Sequence, residues 1–172
     1  SPIPFMEEDF DADLAACIPA ERVDAFLDLC CPDLPWIETS RHVDHRAVPD
    51  ELARAALRRM PQEVVGPFAL RRLLDSSLSA ERQVVAAGFL RPSWLRSEQS
   101  AALARLALDS SQPPSVRKAA LEIVGSDPRL LLEIASGSLQ RGDPLSDAVA
   151  QRMASMRNGD MDGRVQQWLL DE

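Results

Sequence analysis

Pro114-Ser115-Val116-Arg117-Lys118-Ala119-Ala120-Leu121-Glu122-Ile123-Val124-Gly125 is the stretch that decides the fold. It follows the turn Ser110-Ser111-Gln112-Pro113 and opens on a proline. Proline is tolerated at a first helical position, because its missing N–H would lack a partner there anyway. Val116, Ala120, Ile123 and Val124 then recur at i, i+4, i+7 and i+8, the spacing of one face of an α-helix. Gly125 suits the end of that helix.

The same grammar extends in both directions. Downstream, Asp127-Pro128 opens a helix through Leu130, Leu131, Ile134 and Ala135 that is expected to close at Gly137. Gly142-Asp143-Pro144 opens another, with Leu145, Val149, Met153 and Met156, and a last helix is expected from Asp162 with Val165, Trp168 and Leu169 inward. Upstream, 97–109 is almost wholly apolar from Ala101 to Leu108, the mark of a helix covered on most sides. Ser79 is a capping-type residue ahead of Val84, Val85 and Phe89. Leu52, Ala56, Leu57 and Met60 form a stripe over 49–60. Gly66-Pro67 is expected to break or kink the segment that follows Pro61, because proline removes a helix hydrogen bond. Short helices are expected over 9–18 and 20–31.

Every apolar stripe runs at the helical period, and no segment alternates as a strand would. Composition agrees. Apolar residues make up 45 % of the 172, Ala and Leu dominate, Tyr is absent, and β-branched residues are few. The fold class is therefore all-α, with eight to ten helices in stacked antiparallel pairs. Val85, Phe89, Leu103, Leu106, Val116, Ala120, Ile123, Leu131, Val149 and Trp168 are the expected core. Trp94 also reads as core.

The turn–helix unit recurs. Setting Ser79–Ala87 over Pro114–Glu122 aligns Arg82 with Arg117 at an offset of 35, inside the range of helical repeats. A Pro turn, then Val-Arg, then an Ala-Leu stripe resembles a HEAT repeat. The resemblance is carried by Pro114–Gly125, in part by the unit at Ser79, and in fold terms it spans 49–171. It implies a short right-handed α-solenoid, or a compact helical array, whose exposed face binds a partner protein. A helical leucine-rich-repeat variant looks similar around Val116–Ala135.

Charge is unevenly placed. Residues 1–35 hold nine acids (Glu7, Glu8, Asp9, Asp11, Asp13, Glu21, Asp24, Asp28, Asp33) against the single base Arg22, whereas acids and bases balance in 36–172. The chain thus divides into an acidic N-terminal arm with the first helices (1–35), an irregular loop punctuated by prolines (36–48) and a helical-repeat body (49–172), forming one globular domain. An acidic arm can steer a basic protein partner. Trp36, between Pro35 and Ile37 in the loop, is an apolar anchor of the kind enriched at binding hot spots. Arg54, Arg58, Arg71 and Arg72 form a counter-patch on neighbouring helices. Overall acidity disfavours nucleic acid as a partner, since binding it rests on neutralising phosphates.

No stretch is long and apolar enough to cross a membrane, and Ser1-Pro2-Ile3-Pro4 does not resemble a signal peptide, so a cytoplasmic protein is expected. Cys17, Cys30 and Cys31 follow no disulfide pattern and are expected to be buried thiols. Cys30, Cys31, His42 and His45 alone supply metal-ligand or Cys/His nucleophile types, but their spacing fits no zinc pattern. No phosphate-loop, dinucleotide or nucleophile-elbow motif occurs. The expected activity is therefore non-catalytic protein binding without a cofactor, as in an adaptor, a chaperone or a toxin-inhibiting immunity-type protein.

Overall fold

The computed structural model describes residues 18–31, 47–139 and 142–157. All regular structure among them is helical. A 3-10 turn at Ala20–Arg22 leads into α1 (Val23–Leu29). Then come α2 (Ala47–Arg59), α3 (Gln62–Leu74), α4 (Ala80–Ala87), a 3-10 turn at Pro92–Trp94, α5 (Ser97–Leu108), α6 (Pro114–Val124), α7 (Pro128–Leu139) and α8 (Ser146–Arg157). The expected helix at 9–18, the 162–172 helix with Val165, Trp168 and Leu169, and Cys17 lie outside the described residues.

The chain divides into two compact units, Ser1–Trp94 and Leu95–Glu172, a boundary that the charge and proline pattern did not mark. In the first, α1 packs on α2, α3 and α4, and α3 packs on α4. Val23, Leu27, Ala56, Leu57, Val65 and Leu73 are its most enclosed apolar side chains. In the second, α5 packs on α6 and α7, while α7 packs on α6 and α8. Leu103, Val116, Leu121, Leu131, Ile134 and Met153 fill its core.

Of the expected core, Phe89, Leu103, Leu106, Val116, Ala120, Ile123, Leu131 and Val149 are buried. Val85 is only half-buried, as is Val84. α4 turns Gln83, Ala86 and Ala87 inward instead, because the Gln83 amide satisfies a carbonyl of the preceding helix. Leu52 is likewise 37 % exposed, and Ala53 takes its place beside Ala56, Leu57 and Met60. Trp94 is half-buried on its 3-10 turn.

Gly66-Pro67 does not break its helix, for α3 runs through both residues to Leu74. A proline ordinarily drives the residue before it out of the helical region through a clash with that residue's Cβ. Gly66 has no Cβ. Nor does Gly137 end α7, which continues to Leu139. A Cβ on Gly137 would fall 2.5 Å from Leu108 Cδ2, so this glycine serves the close approach of α5 and α7.

Candidate functional site

The turns between paired helices are built alike, and they position everything that follows. At the end of α3, Asp75 takes an extended conformation (φ −88°, ψ 98°). Its Oδ1 accepts from the Ser77 amide at 2.9 Å and the Ser77 hydroxyl at 2.6 Å. At the end of α5, Asp109 does the same (φ −75°, ψ 100°), accepting from the Ser111 amide at 3.0 Å and hydroxyl at 2.6 Å. Before α8, Asp143 Oδ1 accepts from the Leu145 amide at 3.0 Å. Asp75, Asp109 and Asp143 stand 34 residues apart. Aspartate suits this place because its short carboxylate mimics a backbone acceptor two residues back along the turn. The Ser77 hydroxyl and amide, with a lesser contribution from Arg71, hold the Asp75 carboxyl below its ordinary pKa. The Ser111 hydroxyl and amide, then Gln112, do so for Asp109.

Eight residues after each of the first two aspartates, a buried polar side chain reaches back to the preceding helix. Gln83 Nε2 donates to the Leu73 carbonyl at 2.9 Å. Arg117 Nε donates to the Ala107 carbonyl at 2.8 Å. Leu73 and Ala107 are again 34 apart. Carbonyls in a last helical turn lack intrahelical donors, and these side chains supply them in the core. The offset is therefore 34 and not 35, and the counterpart of Arg117 is Gln83, not Arg82. Arg117 carries a second bond, from its Nη2 to Asp143 Oδ2 at 2.5 Å, and both side chains are almost wholly buried. That pair ties the α5–α6 turn to the turn ahead of α8.

Of the arginine counter-patch, Arg71 and Arg72 are engaged within the first unit. Arg72 donates from Nε to Asp24 Oδ1 at 2.8 Å, from Nη1 to Asp28 Oδ1 at 2.7 Å and from Nη2 to the Asp24 carbonyl at 2.9 Å. Burial works against its charge, but the hydrogen bonds to Asp28 and Asp24 outweigh it and raise the pKa. Arg71 pairs with Asp24 and lies 5.1 Å over the Phe68 ring. Arg54 Nη2 donates to the Cys30 carbonyl at 2.6 Å. Arg58 is exposed, and its carbonyl accepts from Arg91 Nη2 at 3.0 Å. Two aspartates of the acidic 1–35 segment thus brace α1 against α3, aided by the buried Val23 and Leu27.

Cys30 and Cys31 are buried, and Cys31 Sγ donates to the Leu27 carbonyl at 3.4 Å. Glu7, Glu8, Asp9, Asp11, Asp13, Trp36, His42 and His45 lie outside the described residues. No group of three or more His, Cys, Asp or Glu side chains is placed to hold a metal among the described residues. No helix among them is long and apolar enough to cross a membrane.

One concave surface was not anticipated. α6 and α8 bound an open groove of about 260 Å³, lined by Lys118, Leu121 and Glu122 on one side and Ala148, Gln151 and Arg152 on the other. Arg152 is steadied by its Nε, which donates to the Gly125 carbonyl at 3.3 Å. A Cβ on Gly125 would come within 3.3 Å of the Arg152 side chain, so glycine lets this arginine lie close over the end of α6. Periodicity could have pointed here, since Lys118 and Arg152 are also 34 apart. The chain matches no family model, no curated protein and no solved structure.

Proposed function

We propose that this chain is a non-catalytic module that binds another protein. In this reading its helix pairs stack as a short HEAT-like right-handed α-solenoid or a compact helical array. The observation that carries it is the turn that recurs at Asp75, Asp109 and Asp143 with a fixed period of 34 residues. Periodic helix pairs bury their apolar faces on their neighbours and leave a repeated outer face, which is how such arrays present an extended binding surface. The acidic arm with Glu7, Glu8, Asp9, Asp11 and Asp13 adds long-range attraction for a basic region of the partner, and Trp36 supplies an apolar anchor.

The test is reconstitution. A partner captured by cross-linking is purified, mixed with the full chain and examined by calorimetry and size-exclusion chromatography. A stoichiometric protein complex is expected. Neutral isosteres at the five arm acids should slow association and flatten its salt dependence while leaving dissociation unchanged. Turnover of a small molecule by the purified chain, or the lack of any stoichiometric complex, would sink the reading.

A further inference from the structure

We infer that the groove between α6 and α8 docks an acidic, extended segment of the protein partner, whose carboxylates meet Lys118 and Arg152. The inference rests on the protein-binding reading and adds the place and the chemistry.

Three observations converge. The first is unspent charge. Among the described residues neither Lys118 nor Arg152 forms an ion pair, although aspartates occupy Arg71, Arg72 and Arg117. Lys118 is also the sole lysine in a chain whose other 18 basic residues are arginine. The second is preorganisation. The bond from Arg152 Nε to the Gly125 carbonyl fixes the base of the guanidinium and leaves its two terminal amino groups, the donors that grip a carboxylate. Holding a side chain in its binding geometry beforehand lowers the entropy cost of association.

The third is periodicity. Lys118 and Arg152 hold the same position in successive repeats, each nine residues after its turn aspartate. Neighbouring helices lie about 8–10 Å apart. An extended chain rises about 3.3 Å per residue, so carboxylates two or three residues apart match the interval between the two cations. At about 260 Å³ and open along its length, the groove falls short of the roughly 300–1,000 Å³ enclosures that swallow small ligands. A polypeptide laid along it fits better. Leu121 and Ala148 give an apolar floor, while Glu122 and Gln151 are placed to accept and donate to the segment's backbone.

The experiment uses the full chain and a short synthetic peptide alternating Asp and Ala, with an Asn/Ala peptide of equal length as control. Amide chemical shifts are followed by NMR at two salt concentrations. The acidic peptide is expected to shift resonances of α6 and α8, and to bind more weakly at high salt. Lys118→Gln with Arg152→Gln should weaken it roughly tenfold. Lys118→Gln alone, at an exposed position, guards against a folding defect and should give a smaller loss. Equal binding of the Asn/Ala peptide, shifts confined to other helices, or unchanged affinity in the double variant would each overturn the groove assignment. A purified protein partner indifferent to both substitutions overturns it too, yet leaves the protein-binding reading standing. Peptide bound in the groove with no stoichiometric protein partner has the reverse effect.

Discussion

The Trp94 ring sits so close over Gly66 that a Cβ there would fall 2.9 Å from three of its ring carbons. Gly66 lies inside α3, where alanine would ordinarily gain about 1 kcal/mol over glycine. Here the sign reverses. Gly66→Ala must move an indole with only two side-chain torsions, or shift α3, and overpacking of this kind costs about 1–3 kcal/mol. Chemical denaturation should show a loss of stability. In a Trp94→Ala background the same change should cost much less, and equal losses in both backgrounds would show that Pro67 alone sets the penalty.

Asp143→Ala strands the buried Arg117 guanidinium. Removing one partner of a buried ion pair costs about 3–5 kcal/mol, whereas replacing both with apolar residues is far milder. Urea midpoints should therefore order as wild type, then Arg117→Leu with Asp143→Leu, then Asp143→Ala. A double variant less stable than the single one would refute this account of the pair.

The Asp75 and Asp109 carboxyls are held below their ordinary pKa, first by the hydroxyls and amides of Ser77 and Ser111. A carboxyl more acidic folded than unfolded contributes stability above its unfolded pKa of about 3.9. That contribution is lost as pH falls through the lower folded value. Carboxyl NMR titration should find both groups among the more acidic aspartates. Ser77→Ala and Ser111→Ala should each raise the pKa of the neighbouring aspartate and leave the other's in place.

Ser138 is 1 % exposed, and its hydroxyl has no hydrogen-bond partner. A buried polar group without a partner costs about 1–3 kcal/mol. Ser138→Ala should thus stabilise the protein, by about 1 kcal/mol, with a higher thermal midpoint. A destabilisation would reveal a bonded hydroxyl.

The helical class and most of the core were legible because apolar period alone sets them. Val116, Ala120 and Ile123 could be read from their spacing, and they are buried. What period cannot show is a polar side chain turned inward for a carbonyl on another helix. Gln83 rotates the face of α4 and leaves Val85 half-covered for that reason. Local rules also misjudged Gly66-Pro67 and Gly137, since both glycines answer to Trp94 and Leu108, neighbours distant in sequence. The Arg71 and Arg72 pairing with Asp24 depends on contacts across 47 and 48 residues, which charge counting does not supply. The groove escaped because Lys118 and Arg152 become neighbours only through the repeat.

The equal spacing of Asp75 and Asp109 has a consequence for chain-length changes. Both aspartates leave their helices in nearly the same extended conformation. Excising 75–108 therefore splices Leu74 to Asp109 with the local backbone path intact, so that α3 enters the turn that normally follows α5. Removing one residue more or fewer is a different operation. At 3.6 residues per turn, a slip of one swings every later side chain on the helix by about 100°. It would carry Arg117 out of the core and bring a solvent-facing neighbour in. Insertions and deletions in this lineage should accordingly accumulate in whole multiples of the period, with point losses confined to the segments between turns.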